Sequence, residues 1–427
     1  METNIQSVGP CEYDSPLRHT GGLEVNFKAD SERIFIDDRV SANGESQARL
    51  SFEIAGPRER VFFNPAKTTA GIVTCGGLCP GLNDVIRGIV MQCHYRYGIT
   101  KTLGFRYGYE GLVQRYGHAP MTLKPESVAQ IHSFGGTILG SSRGPQVTAE
   151  MVDDLEDMKV DILFVIGGDG TLKGAADIAA EVKRRGLRKV VVGIPKTIDN
   201  DIKFLDKSFG FETAFGVAVQ AVKCAHVESQ GSMNGIGLVK LMGRDSGFIA
   251  CNAALAGGNV DFVLIPELPF SLEGSRGFLE QLRYRLAKRK SAVIIVAEGA
   301  GQDLISAGGT DPSGNRKLGD IGTFLKDRIT AFFKERKFEA TVKYIDPSYM
   351  IRSVPANAAD NFYCSQLAQY AVHAAMAGKT AMLVGRWHGS FVHLPITLAT
   401  QGRAKVNPNS DLWHTVLENT GQPAALV

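Results

Sequence analysis

The chain has 427 residues, 44% hydrophobic and 21% charged, with 47 basic against 44 acidic side chains for a net charge of +3. That length exceeds one ordinary core and points to two domains, and the near-balanced charge argues against a nucleic-acid or membrane-surface partner. No apolar run reaches the length of a membrane span, "METNIQSVGPCEYDSPLRH" has no apolar signal core, and the seven scattered cysteines suit a reducing cytoplasm.

Residues 1–64 are polar and weakly periodic and are expected to form an N-terminal extension, with Phe52, Val61, Phe62 and Phe63 marking its ordered part. From there strands and helices alternate. "AGIVT" (70–74) reads as a buried strand and 80–96 as the helix after it. A strand at 161–166 is followed by a helix at 171–186, where Leu172, Ala175, Ala179 and Val182 recur at helical spacing. A strand at 189–194 precedes a helix at 211–229. Further strands fall at 235–242, 260–265, 291–297 and 340–346, and a long helix at 356–378. Apolar strands separated by helices predict a parallel sheet covered on both faces. Residues 401–423 read as a loop and a short helix of no evident role.

Three strand ends carry the chemistry. In "DILFVIGGDGTLKGAAD", Gly167, Gly168 and Gly170 let backbone N–H groups converge on an anion at a helix N-terminus. Asp169 would repel phosphate directly but can hold Mg²⁺, which bridges to phosphate oxygens. A tight turn with Asp169 as a cap is the plain alternative. "GIVTCGGLCPGLNDVIRG" repeats the strand–glycine–helix pattern, with Gly76, Gly77, Pro80 and Gly81, and matches neither the dinucleotide fingerprint nor the P-loop. In "VVGIPKTIDNDI", Asp199 and Asp201 follow a buried strand two residues apart. One can accept a proton from a substrate hydroxyl while the other orients it, and Lys196 can face developing phosphate charge. An Asx-rich loop with lysine–aspartate pairing is the alternative. Arg244 in "KLMGRDSGF" and Arg352 in "YIDPSYMIRS" are candidate phosphate clamps, although a lone arginine is more often a surface charge. Glu298 in "VAEGAGQ" ends an apolar strand, where a carboxylate is costly unless paired or solvated.

Together, "GGLCPGLNDVIRG", "LGSSRG", "IGGDGTLKGA", "PKTIDNDI", "GIGLVKLMGRDSGF", "IPELPF", "AEGAGQDL" and "KYIDPSYMIRS" stand in an order that resembles the 6-phosphofructokinases, in their plant-like and trypanosome-like ATP-dependent branch. The resemblance spans about residues 50 to 423. It implies two Rossmann-like three-layer α/β/α domains with mainly parallel sheets and an active site in the cleft between them. The ATP-binding domain would comprise 65–208 with 354–386, the fructose 6-phosphate-binding domain 209–353, and the C-terminal tail 387–427.

The activity so implied is transfer of a phosphoryl group from ATP to the C1 hydroxyl of fructose 6-phosphate, the committing step of glycolysis, with Mg²⁺ as cofactor. Asp199 would be the general base, supported by Asp201, with Lys196 and Arg244 facing the transferred charge. Asp169 would hold the metal. Gly77, Arg143, Gly144, Gly168, Asp169, Gly170 and Thr171 would line the ATP site. Thr197, Ile198, Asp199, Met242, Gly243, Arg244, Glu298, Tyr349, Met350, Ile351 and Arg352 would contact the sugar phosphate. A cytoplasmic, allosteric homotetramer or homodimer is expected.

The donor depends on two positions. Pyrophosphate users of the family tend to carry aspartate where Gly170 stands, in the space of the α-phosphate, so Gly170 argues for ATP. Lys196 pulls the other way, because many pyrophosphate users have lysine there; the steric effect at Gly170 carries more weight. An arginine that bacterial ATP enzymes supply from a neighbouring subunit falls on Gly235, so their allosteric pattern does not carry over. The alternatives are a pyrophosphate-dependent enzyme, another kinase of the GGDGT type such as a NAD kinase, and a catalytically silent sugar-phosphate-binding subunit. The NAD-kinase reading leaves PKTIDND, MGR and Tyr349–Arg352 without an account. Intact Asp169, Asp199 and Asp201 count against the silent subunit.

Overall fold

A computed structural model describes residues 1–19, 24–37, 50–305, 309 and 317–427. The expected N-terminal extension lies partly outside these residues. The chain divides into two compact units: residues 1–197, 202–210 and 353–402 form the first, and 198–201, 211–352 and 403–427 the second.

The first unit is built on a nine-stranded sheet. Its centre is five parallel strands, in spatial order Met382–Trp387, Val190–Pro195, Ile162–Gly167, Thr69–Thr74 and Lys101–Phe105. Three of these, at 69–74, 162–167 and 190–195, are buried at every position, which is why they read as continuous apolar runs. The edges are antiparallel: Met121–Leu123 on one side, and Ser390–Pro395, Ser51–Ile54 and Arg33–Phe35 on the other. Part of the expected extension and part of the expected tail are thus strands of this sheet.

Numbered along the chain, the five parallel strands run 2-1-3-4-5 across the sheet. The connections reverse direction between Thr69–Thr74 and Ile162–Gly167, and ligands of doubly wound sheets sit outside the carboxyl ends at such a switch point. Helices Leu82–Met91 and Asp169–Arg184 begin there. The helix expected over 80–96 turns into a π-helix at Gln92–Tyr97 and stops at Gly98, whose φ is 73°.

The second unit holds a four-stranded parallel sheet in the order Phe262–Leu264, Ser291–Ala297, Gly235–Leu241 and Thr341–Ile345. Helix Phe211–Gln230 precedes it in the chain. Leu279, Leu282, Leu286, Leu325, Ile329 and Phe333, from two helices, pack on Ile236, Leu238, Ile294 and Val296. Connections from the adjacent strands Gly235–Leu241 and Ser291–Ala297 leave toward opposite edges, so their carboxyl ends form a second switch point. The tail contributes helix Asp411–Thr420 to this unit, within the stretch read as a loop and short helix.

Candidate active site

In the first unit the register brings the glycine turns together. Cys75 N–H donates to the Ile166 carbonyl at 3.0 Å, and Lys196 N–H donates to the Gly167 carbonyl at 3.0 Å. Gly76 N–H donates to Ser142 O at 3.1 Å, and Ser141 Oγ donates to Gly76 O at 2.6 Å, tying the "LGSSRG" loop to the first turn. Gly76 has φ 84°, a conformation that favours glycine. A side chain at Gly167 would collide with Thr171. Gly170 opens on space with nothing within 4 Å of where a Cβ would stand.

Asp169 is the first residue of its helix and pairs with Lys173 one turn on, at 2.8 Å. Lys196 is buried, and its Nζ donates to the Gly77 carbonyl at 2.7 Å. Thr171 is half-buried at this switch point, while Arg143 and Gly144 are exposed, Gly144 with φ 103°. The Thr197 carbonyl accepts from Ser208 Oγ at 2.6 Å.

In the second unit, Glu298 N–H donates to Leu241 O at 2.8 Å and Gly299 N–H to Gly243 O at 3.1 Å. The Met242–Arg244 turn and Glu298 therefore emerge side by side. Gly243 has φ 133°, and a Cβ there would stand 2.6 Å from the Ser246 carbonyl. Burial raises the Glu298 carboxyl above the usual carboxylate range, with Asp346 adding to it and Arg244, Lys240 and Arg352 opposing it. Those charges place Arg244, Arg352 and Glu298 in one electrostatic neighbourhood. Arg352 lies over the Tyr349 ring at 4.8 Å. Tyr349 and Met350 are exposed, whereas the Ile198 and Ile351 side chains are buried in the core and leave only their backbone for a ligand.

The Ile198–Asp201 turn belongs to this second unit. Ser246 Oγ donates to Asp199 O at 3.1 Å. Burial, and then the charges of Asp201, Glu298 and Asp245, push the Asp199 carboxyl up to about 7 against the opposing charge of Arg403. A carboxylate tuned near neutrality is suited to accepting a proton. Asp201 accepts from Arg403 Nη1 at 3.0 Å. Asp245, Lys240 and Arg403 were not among the residues singled out in the sequence. Asp245 and Lys240 lie within the quoted "KLMGRDSGF" stretch, beside the residues chosen there. Arg403 sits in the tail with no local signal.

Gly235 opens its strand with no room for a side chain, since a Cβ there would collide with the Ser229 carbonyl.

Each unit is built on an α/β sheet with parallel central strands, and its candidate residues gather at the carboxyl ends of those strands, where ligands of such sheets sit. The phosphofructokinase family model matches residues 69–375. The ATP-dependent 6-phosphofructokinase of Amycolatopsis methanolica is 48% identical over 438 residues, covering 99% of this chain and 95% of that protein. The ATP-dependent 6-phosphofructokinase of Trypanosoma cruzi is 48% identical over 407 residues, covering 93% and 83%. Among solved structures, a pyrophosphate-dependent phosphofructokinase from Marinobacter aquaeolei superposes with a TM-score of 0.68 over 84% of this chain and 92% of its own, at 20% identity, a likeness of fold alone. The chain belongs to the phosphofructokinase family.

Proposed function

We propose that the chain transfers the γ-phosphoryl group of ATP to the C1 hydroxyl of fructose 6-phosphate, giving fructose 1,6-bisphosphate and ADP. The hydroxyl oxygen bonds to the γ-phosphorus as the bond from that phosphorus to the β–γ bridging oxygen breaks. The hydroxyl proton passes to Asp199. The observation that carries this reading is the setting of Asp199: Ser246 Oγ donates to its carbonyl, Arg403 pairs with Asp201 beside it, and burial with the charges of Asp201, Glu298 and Asp245 raises its carboxyl. Such a group is a competent base at neutral pH, whereas an ordinary exposed aspartate is a weak one.

The first unit takes ATP. Backbone N–H groups of Gly77 and of the Gly168–Thr171 turn face its phosphates, with Arg143 and Gly144 on the exposed loop beside them. The second unit takes the sugar phosphate, with Arg244 and Arg352 as cationic clamps, Glu298 on sugar hydroxyls, and Tyr349 and Met350 on its rim. Little covalent chemistry is required of the protein, so positioning and charge account for most of the acceleration.

Asp169 fits Mg²⁺. That ion favours one or two carboxylates together with substrate phosphate oxygens and water, and Asp169 is a single carboxylate at the head of its helix. Among the described residues no group of three or more acidic, histidine or cysteine side chains competes with it. When bound there, the ion neutralises charge on the β- and γ-phosphates.

The open space at Gly170 supports ATP as donor, because no atom of the described residues stands within 4 Å of where a Cβ would be. Pyrophosphate is the second reading, favoured by the lysine that stands at position 196. The enzyme is expected in the cytoplasm as a homotetramer or homodimer. No helix among the described residues is long and apolar enough to cross a membrane. The test is an assay of purified protein with fructose 6-phosphate, ATP and Mg²⁺, following fructose 1,6-bisphosphate and ADP. Stoichiometric formation of both products is expected, and no product with either donor would overturn the reading.

A further inference from the structure

We propose that Arg403, from the C-terminal tail, is a positioning residue for phosphoryl transfer: it clamps Asp201 and Asp245 together and so fixes the turn that presents Asp199. The inference rests on the functional reading above, with Asp199 as the base.

The geometry is that of a brace. Arg403 Nη1 stands 3.0 Å from Asp201 Oδ2 and 2.9 Å from Asp245 Oδ2. One guanidinium nitrogen thus joins the turn at 198–201 to the turn after strand Gly235–Leu241. The next residue adds a backbone link, since Ala404 N–H donates to Asp201 O at 2.7 Å. Two residues further on, Val406 N–H donates to Glu267 Oε1 at 2.8 Å, and Gly247 N–H donates to the same oxygen at 3.0 Å. Glu267, the acidic residue of "IPELPF", therefore pins the tail to the loop that carries Asp245 and Ser246. Ser246 Oγ in turn donates to the carbonyl of Asp199. The tail, the Asp245–Gly247 loop and the base turn form one hydrogen-bonded assembly, with Arg403 as its charged centre.

The arrangement separates the acidic groups by role. Asp201, its side chain only 9% exposed, is paired with the Arg403 guanidinium. Asp199 lies among Asp201, Glu298 and Asp245, with Arg403 as the cation that offsets them. Without Arg403, Asp201 and Asp245 lose the cation they share. The turn is then free to reorient, and Asp199 becomes harder to ionise.

The test compares Arg403→Gln, Arg403→Lys and Asp245→Asn with the parent enzyme, measuring kcat/KM for fructose 6-phosphate from pH 5.5 to 9 at saturating ATP, together with thermal midpoints. For Arg403→Gln, the acidic limb should move up by about one pH unit, with kcat at pH 7 falling about tenfold or more. Arg403→Lys should recover much of both losses, because the charge is kept while the planar fork is lost. Asp245→Asn cuts one arm of the clamp, so kcat should fall even as the lost negative charge near Asp199 moves the limb down, and an unchanged kcat in this variant overturns the proposal even if Arg403→Gln does not fold. A merely structural arginine predicts a lower thermal midpoint with the limb unmoved in every variant, and that result overturns the proposal. Absence of fructose 6-phosphate turnover in the parent enzyme would instead sink the functional reading.

Discussion

Lys196 donates from Nζ to the carbonyl of Gly77 at 2.7 Å, so the lysine that follows one parallel strand braces the glycine turn at the end of another. The strand between them, Ile162–Gly167, ends in the turn that holds Asp169. Three strand ends are thereby held together from within the first unit. A buried ammonium in this position is held by backbone, so its presence is compatible with either phosphoryl donor. Lys196→Met keeps the apolar stem and leaves the Gly77 carbonyl without this donor. Loss of a hydrogen bond to a charged group costs about 1.5–3 kcal/mol. The variant should show a lower thermal midpoint and a kcat reduced about 10–100-fold by the same arithmetic, both read from melting curves and initial rates.

Gly170 makes a sharper prediction. A Cβ there meets nothing within 4 Å, so Gly170→Asp should fold and melt as the parent does. Its carboxylate would repel and crowd the nucleotide phosphates. The KM for ATP should rise about tenfold or more, by at least one like-charge contact of about 1.4 kcal/mol, while the KM for fructose 6-phosphate holds. An unchanged ATP KM would show that the nucleotide does not approach this residue.

Asp199→Ala should abolish useful turnover and leave fructose 6-phosphate binding largely in place. Loss of a general base costs about 10²–10⁴ in rate. Rapid-mix kinetics and calorimetric titration with the sugar phosphate separate the two effects. Near-normal activity in the variant would remove Asp199 from the role.

The raised Asp199 carboxyl also fixes two signs. Activity needs the ionised form, so kcat/KM should climb as pH rises through about 7. Stability runs the opposite way. A carboxyl raised in the folded state contributes fully below its ordinary pKa of about 3.9 and loses that contribution as pH rises through its folded value. Asp199→Asn should therefore melt above the parent enzyme at pH 8 and by a smaller margin at pH 5, in scans at constant ionic strength.

Much of this was legible along the chain. The strands at 69–74, 162–167 and 190–195 announce themselves because both faces are buried and every position is apolar or small. Their glycine turns follow for the same reason. The hairpin of Met382–Trp387 and Ser390–Pro395 leaves little trace in the sequence, although "MLVG" is a buried run, because the turn at His388–Gly389 and the partner "SFVHLP" offer little alternation. Arg403 was invisible for a different cause. Its partners Asp201 and Asp245 lie more than 150 residues upstream, and no local period or motif links a tail arginine to carboxylates that far away. Contacts set by tertiary folding carry no signature in a short window of sequence.

Arg352 and Glu298 test the sugar-phosphate side. Arg352→Ala should raise the KM for fructose 6-phosphate about 10–100-fold, the loss of one charge-assisted hydrogen-bonding group, with a smaller effect on the KM for ATP. Glu298→Gln keeps shape but not charge. It should also lower the Asp199 carboxyl, because Glu298 is among the charges that raise it, and shift the acidic limb downward in pH.

The most direct measurement is initial-rate turnover of fructose 6-phosphate and Mg²⁺ by the purified enzyme, with ATP and, separately, with pyrophosphate. Formation of fructose 1,6-bisphosphate with ATP and none with pyrophosphate is the predicted result, with Gly170 leaving the nucleotide site open and Lys196 compatible with it. Turnover with pyrophosphate alone would contradict that account and make Lys196 the residue that reports the donor.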